Sequence, residues 1–354
     1  MVKNKDNKKL REFSKRLARK AAERGFFISC TFELTYKCNL RCIHCFNEGL
    51  KISELNFRQV CRIIDKLLDQ GCLYFLFTGG EPFLREDFLD IYLYTKRKGG
   101  IITIYTNGTL IDNSALKIFE KYPPRKIEIS IYGAEASTHD FVTRVSGSYE
   151  AVRKVIYKLR AMNINFSLKT MVMTVNKKEF WKIKKFAEKL GVGFRYDPVI
   201  LPQRSGRDFN LVYRLAPEEF FKEIEIKDKE RMDTYLKKWQ RLDKYRAPNS
   251  TIYTCSGGRW SCSVDPEGKI KPCIFNSSGY DLLRGTMKEA RSFLWSIVDQ
   301  EWDGDVECRY CKIPPLCGNC PGKAELVKGD PQARIEYLCE LGYLRARYLG
   351  IIEM

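Results

Sequence analysis

Three cysteines near the start of the sequence are spaced for metal chemistry. Cys38, Cys42 and Cys45 lie in Tyr36-Lys37-Cys38-Asn39-Leu40-Arg41-Cys42-Ile43-His44-Cys45-Phe46, with three and then two residues between them. Seven steps of chain span at most ~25 Å at about 3.5 Å per residue. Curled into a loop, that length can set three sulfurs around one small metal cube. Soft thiolates in a close group suit an iron–sulfur cluster, and three in place of four leave one iron without a protein ligand. Such an iron can bind a substrate or cofactor as well as pass electrons. The residues alone leave two other readings open: incidental thiols, or part of a zinc site.

The spacing C-x3-C-x2-C resembles the signature of the radical S-adenosylmethionine (radical SAM) enzymes. The resemblance implies a [4Fe–4S] cluster on Cys38, Cys42 and Cys45 whose open iron chelates the amino and carboxylate groups of SAM. One electron then splits the sulfonium bond, and the 5′-deoxyadenosyl radical takes a hydrogen atom from the substrate. The family usually has an aromatic side chain just before the third cysteine; His44 holds that place here. Thr78-Gly79-Gly80-Glu81-Pro82 resembles the family's GGEP motif, which binds the SAM amino group. Glycines let backbone approach closely, and Glu81 can accept from a cationic amine; a plain strand-to-helix turn is the alternative. By the same resemblance Ser130 contacts SAM, and Arg144 helps hold its carboxylate. Asn107 closes another strand and joins the candidate set. For these three, turn chemistry or a surface ion pair is the competing reading. Lys169 and Asp197 either face the same cavity or pair with one another.

These residues need elements to hold them at one edge. Ile28–Thr35 alternates apolar and polar side chains as a strand does, and the cysteine loop follows it. Helical intervals over 55–70 lead to a buried strand at Leu73–Phe77. Further helices are expected over 86–98, 112–121, 148–162 and 177–190, and strands at Ile101–Tyr105, Lys126–Ile131, Phe166–Met173 and Gly193–Ile200. Six βα units imply a parallel sheet with right-handed crossovers. The expected fold is α/β: a partial (β/α)6 TIM-like barrel with its chemistry at the carboxyl ends of the strands, followed by a small cysteine-rich α+β domain.

From Cys255 onward there are eight cysteines. Trp260–Cys273 reads as a hairpin turning at Asp265-Pro266-Glu267-Gly268. C-x12-G-x4-C, then C-x2-C-x5-C-x2-C and a distant Cys339, resembles the SPASM extension of radical SAM enzymes, which commonly holds two more [4Fe–4S] clusters. By resemblance, Cys255, Cys262, Cys273 and Cys320 hold the nearer one, and Cys308, Cys311, Cys317 and Cys339 the outer one. The family has three residues where this chain has two, between Cys317 and Cys320. Read alone, the two C-x2-C pairs also fit a zinc site of four thiolates. Three plus eight ligands use eleven of the fourteen cysteines; Cys30, Cys61 and Cys72 read as ordinary buried thiols.

Composition narrows the rest. Hydrophobic residues at 44% and charged residues at 30% describe a soluble globular protein of about two domains. No apolar run reaches membrane-span length, and no secretory signal opens the chain, so the expected compartment is a reducing cytoplasm. Two histidines, His44 and His139, argue against His-rich zinc catalysis. The net charge is +18, and the first 25 residues carry ten Lys/Arg against three acids. Residues 8–24 are expected as a basic amphipathic helix, either docking an acidic peptide, RNA or anionic lipid, or packed by one stripe on the barrel. The expected divisions are a tail at 1–25, a barrel at 26–204, a charged helical bridge at 205–250 and a SPASM-like unit at 251–354.

SPASM-type enzymes mostly modify peptides and proteins. Ile274 stands where the sulfatase-maturing branch carries Asp, which disfavours that branch. The tail from Cys320-Pro321-Gly322 through Arg345-Ala346-Arg347 looks like the peptide-maturase group. The leading expectation is a peptide maturase acting by hydrogen abstraction, its substrate presented by a separate leader-recognition protein or the basic surface, its electrons from a flavodoxin or ferredoxin. The alternatives are a radical SAM enzyme for a carboxylate-rich tetrapyrrole and, from another class, a zinc-containing RNA-binding protein without catalysis. No recognisable RNA-binding motif supports the last.

Overall fold

The computed structural model describes residues 16–17, 19–47, 50, 52–242 and 251–353. Six strands, β1 (Ser29–Thr35), β2 (Tyr74–Gly79), β3 (Ile101–Thr106), β4 (Lys126–Ser130), β5 (Phe166–Met171) and β6 (Gly193–Asp197), lie parallel in sequence order. Helices Phe57–Asp69, Phe88–Arg97, Asn113–Lys121, Ser148–Ala161 and Phe180–Leu190 connect them. A further helix, Ala136–Thr143, follows β4 and was not expected from periodicity. Only His139, Val142 and Thr143 of its eight residues are buried, so it has no apolar stripe to read.

Alternation along the strands divides two faces. Cys30, Phe32, Phe75, Phe77, Ile102, Ile104, Ile127, Ile129 and Leu168 turn toward the helices and join one core with Ile63, Leu67, Ile91, Phe119, Ile156 and Leu159. The positions between them carry Glu33, Tyr105, Glu128, Ser130, Lys169 and Arg195 on the opposite face. Each large apolar side chain contributes about 1.5–3 kcal/mol when fully buried. A one-residue slip of a strand would turn its polar set into that core, so the register is strongly fixed. The result is a sheet clad in helices on one side and polar on the other.

The C-terminal hairpin forms as expected, from β7 (Ser261–Val264) and β8 (Lys269–Lys271), with β9 (Tyr280–Asp281) beside it. It does not stand apart. β7 pairs parallel with β1, giving one nine-stranded sheet in the order β6-β5-β4-β3-β2-β1-β7-β8-β9. The cysteine-rich third therefore starts as an extension of the barrel sheet.

The charged bridge is less regular than a continuous helix from Pro217. A short α-turn Pro217–Phe220 runs into a π-helical segment Phe221–Glu225, and a new helix begins at Lys229 and reaches Leu242. The end of the expected bridge, residues 243–250, lies outside the described residues. So does most of the basic N-terminal stretch; its described part is helical at 16–17 and 19–24, with Ala21 fully buried.

Candidate active site

The cysteine loop leaves β1 at the carboxyl end of the strands and is pinned from three sides. Arg41 and Ile43 donate backbone N–H bonds to the carbonyls of Thr143 and Val142, at 3.0 and 2.9 Å, so the unexpected helix Ala136–Thr143 anchors it. Cys45 N–H closes a turn onto the Cys42 carbonyl at 3.0 Å. From β2, Gly80 N–H donates to Thr35 O at 2.7 Å and Glu81 N–H to Lys37 O at 2.9 Å.

The glycine pair makes this last contact possible. A Cβ on Gly79 would stand 2.1 Å from the Thr35 carbonyl oxygen, and one on Gly80 the same distance from that of Lys37. Gly79 also holds φ +134°, a conformation that side chains rarely adopt. The close approach is thus to the backbone just before Cys38.

Glu81 is fully buried and fixed at both oxygens. Oε1 accepts from Thr106 Oγ1 at 2.8 Å and Phe83 N–H at 3.2 Å, and Oε2 accepts from Asn107 N–H at 2.7 Å. Burial pushes its carboxyl up to about 7, against those donors and Lys169. Asn107 donates through Nδ2 to Asn39 Oδ1 at 2.9 Å and to the Cys38 sulfur at 3.8 Å. The carboxylate of the Gly-Gly-Glu-Pro turn and the amide of β3 therefore meet at the first cysteine.

The other two thiols converge from the far side of the loop. Tyr132, just past β4, is buried. Burial raises its phenol far above the ordinary value, and charge on Cys42, Cys45 and Cys38 raises it further. Its ring lies 4.7 Å from that of His44. Burial, then Lys169, lowers the His44 imidazole to about 4, so it is neutral near pH 7. Ser130 is buried and faces Lys169 across the β4–β5 pairing. Arg144 ends its helix in the left-handed conformation at φ +56° and extends, exposed, one residue beyond the carbonyl that holds Arg41. Lys169 and Asp197 do not pair with each other: Lys169 sits 3.8 Å above the Tyr105 ring, while Asp197 Oδ1 accepts from Val199 N–H at 2.8 Å. Burial, then Arg195, lowers Lys169 to about 7, against Glu128 and Glu81.

Several residues here carried no sequence motif. Arg204 donates its backbone N–H to Phe46 O at 2.9 Å, pairs through Nη2 with Glu33 at 3.1 Å, and donates to the Ile274 carbonyl beside Cys273. Its guanidinium lies over the rings of Tyr36 and Phe46, and Phe46 meets Phe275 at 6.2 Å. One arginine thus ties the cysteine loop to the cysteine-rich third. A lone Arg in a loop offers no spacing to read, so sequence reasoning passed over it.

The later cysteines fall into two groups and an exception. Cys255 and Cys320 lie near Cys273, whose thiol is pushed up to about 11 by burial first and then by Cys320 and Cys255. Cys308, Cys311 and Cys339 lie near Cys317, whose thiol is pushed up to about 11 by burial and then by Cys311, Cys308 and Cys339. Cys262, expected with the first group, lies elsewhere. It is in mid-strand on β7, beside Cys30 and within the apolar core. Cys30, Cys61 and Cys72 are buried as expected. No three His, Cys, Asp or Glu side chains among the described residues are drawn close enough to share a single ion.

The residues around the first three cysteines fit a bound polar group. Four buried side-chain polar atoms gathered here have no hydrogen-bond partner: His44 Nδ1, Asn47 Oδ1, Arg204 Nη1 and Asn210 Oδ1. Leaving such an atom unpaired costs about 1–3 kcal/mol, so their gathering suits a site completed by a ligand. The soft donors of this loop are of the type an iron–sulfur cluster takes, and the fixed carboxylate beside Cys38 suits a cationic amine.

Comparison with known proteins bears on the fold that carries these residues. Residues 32–187 match the radical SAM superfamily. The AdoMet-dependent heme synthase of Nitratidesulfovibrio vulgaris is 26% identical over 337 residues, covering 87% of this chain and 90% of that protein. The antilisterial bacteriocin subtilosin biosynthesis protein AlbA of Bacillus subtilis is 27% identical over 313 residues, covering 83% of this chain and 67% of that protein. Among solved structures, anSMEcpe with bound AdoMet and a peptide superposes with a TM-score of 0.68 at 19% identity, over 92% of this chain and 97% of that one. The fold is therefore the partial barrel of that group, and residues 32–187 of the chain carry a radical SAM domain.

Proposed function

We propose that the chain modifies a peptide by hydrogen abstraction, with Cys38, Cys42 and Cys45 holding the SAM-binding cluster and the later cysteines serving auxiliary clusters. The cluster, when bound, supplies the electron that cleaves SAM to the 5′-deoxyadenosyl radical. The chain's own part is positional. Glu81, oriented by Thr106 and Asn107, receives the SAM amine. Asn107 steadies the first cysteine, Ser130 and Arg144 stand at the rim where the rest of SAM would lie, and neutral His44 covers the loop without adding charge.

The choice of a peptide over a carboxylate-rich tetrapyrrole rests on how the polar face is charged. Two arginines on that face are matched by acids: Arg204 by Glu33 at 3.1 Å, and Arg195 by Glu128 at 2.8 Å, which Lys126 also holds. Burial, then Arg195, lowers Lys169 to about 7, which weakens its hold on an added carboxylate. Matched cations offer little to a ring bearing several carboxylates, whereas a peptide backbone asks for no net charge. The heme synthase relatives keep the tetrapyrrole as the second reading; AlbA and the MftC maturases support the first.

The test is co-expression with short peptides encoded beside the gene, followed by mass spectrometry. Anaerobically reconstituted enzyme is also reduced with SAM in the presence of either peptide or tetrapyrrole. A peptide mass shift that needs Cys38, with 5′-deoxyadenosine released in step, is the expected result. Turnover stimulated by the tetrapyrrole alone reverses the choice.

A further inference from the structure

One amine on the polar face of the sheet has donors and nothing to give them to. Lys169 stands in mid-strand on β5, level with Ser130 on β4 and Arg195 on β6. Its Nζ lies 3.8 Å from the centre of the Tyr105 ring, and the Arg195 guanidinium lies 5.2 Å from the same ring. Two cations thus flank one aromatic face, but only one of them has an acid. Glu128, the carboxylate on the strand between, is taken by Lys126 at 2.6 Å and by Arg195 at 2.8 Å. Among the described residues no hydrogen bond or ion pair reaches Lys169. The ring steadies the charged form, yet it is no acceptor for the N–H groups that a lysine carries.

The position matters as much as the vacancy. Lys169 is half-buried, and its charge acts on Glu81 at the Gly-Gly-Glu-Pro turn and on His44 in the cysteine loop. A group held by its amine is therefore beside the residues where the proposed chemistry begins. The groups around it decide what that group is. Arg195 repels a proton on Lys169, Glu128 and Glu81 favour one, and burial outweighs them, leaving the amine at about 7. Charged and neutral forms coexist near neutral pH, and both donate N–H. A carboxylate would need the charged form, whereas a neutral carbonyl oxygen accepts from either.

We propose that Lys169 is a substrate anchor, its Nζ donating to a backbone carbonyl oxygen of the bound peptide, with the Tyr105 ring forming the floor of that subsite. This rests on the peptide reading given above and deepens it. A face of matched charges has little grip on an uncharged chain, and one free amine supplies it. A hydrogen bond to the carbonyl also fixes which neighbouring C–H is presented for abstraction, the kind of alignment on which rate depends.

The test compares Lys169→Met and Lys169→Gln with the parent, as anaerobically reconstituted full-length enzyme, on the peptide modified in the co-expression assay. Lys169→Met should raise KM about tenfold or more, the loss of one hydrogen bond from a charged donor, with a smaller change in kcat and with iron content and thermal midpoint retained. Lys169→Gln, which keeps an N–H donor, should recover much of that loss. The KM of the parent should change less than about twofold between pH 6 and 8, since either form of the amine donates. A parental KM that climbs about fivefold from pH 7 to 8, with Gln no better than Met, assigns the amine to a carboxylate and overturns the carbonyl anchor. Unchanged KM in Lys169→Met overturns it outright, and lost iron or a lowered midpoint in both variants makes the residue structural. A second measurement needs no substrate: brief acetylation of the parent with acetic anhydride at pH 7, followed by peptide mapping. The unpartnered Lys169 should react ahead of Lys177 and Lys184, which are held in ion pairs by Glu219 and Asp228. Slower reaction overturns the free amine whatever the substrate is, while fast reaction in an enzyme that modifies no peptide leaves the amine standing and fails the peptide reading, and the carbonyl anchor with it.

Discussion

Glu81 shows how one side chain can be both misplaced for stability and placed for binding. A carboxyl with no exposure should be neutral, and burial does push it up to about 7. Yet three donors aim at its two oxygens and keep the ionised form within reach at neutral pH. Its folded value lies above the ordinary 4.5, so the folded protein retains a proton that the unfolded chain releases. Its contribution to stability is therefore present below about 4.5 and declines as pH rises through about 7. Glu81→Gln removes that decline: between pH 5 and 8 the unfolding midpoint of cluster-free parent should fall relative to the variant. The same change should weaken SAM binding about tenfold or more, equivalent to ~1.4 kcal/mol or more, with iron content retained. Equilibrium titration with SAM at matched iron loading measures this; equal affinity in parent and variant would remove Glu81 from the site.

At the scale of elements, what the sequence made legible was whatever repeats or is spaced. Period-two strands and helices with apolar stripes came out in the right order and to within a few residues. The first cysteine triad lies on the loop expected of it, and Glu81 at the end of β2. What escaped depended on contacts between distant segments. The helix Ala136–Thr143 buries three residues only, the pairing of β7 with β1 joins positions more than two hundred residues apart, and Arg204 acts through a backbone carbonyl and two rings. Cys262 was grouped with the ligands by family resemblance; the face it occupies is set by the β1–β7 register. The glycine pair is a case between: its presence signalled close approach, but the partner is the carbonyl backbone before Cys38. Gly80→Ala sets a Cβ against that backbone, where neither side has a flexible end to move. The variant should lose about 2–4 kcal/mol of stability and assemble the first cluster poorly while keeping auxiliary iron. Unfolding curves and iron counts on the reconstituted variant check both.

For the whole molecule, the order of thiol groups along the fold suggests a division of labour. The first group stands at the end of β1, the second is tied to it through Arg204 and the Phe46–Phe275 contact, and the third is held by the C-terminal helix Glu336–Tyr348. That helix is locked in place. Arg345 pairs with buried Glu225 at 2.7 Å and donates to Leu316 O at 2.6 Å, while Gly342 lies so close to Cys317 that a Cβ would come within 2.6 Å. Breaking a buried ion pair by removing one partner costs about 3–5 kcal/mol, so this end of the chain is not a loose appendage. A group of four cysteines leaves no iron open, and its chemistry is then restricted to moving electrons. It is also the group farthest along the chain from the SAM loop. On the proposed cluster reading, loss of one of these cysteines should leave the initiating step intact and stop the later one. In Cys308→Ala, reductive cleavage of SAM should proceed at close to the parental rate, since no residue that touches Cys38, Cys42, Cys45 or Glu81 has changed. Formation of modified product should fall at least tenfold, because the electron left on the oxidised substrate has no exit. Quantifying 5′-deoxyadenosine and product together separates the outcomes: a ratio shifted strongly toward 5′-deoxyadenosine supports the electron-exit role, and parallel loss of both assigns these cysteines to holding the fold.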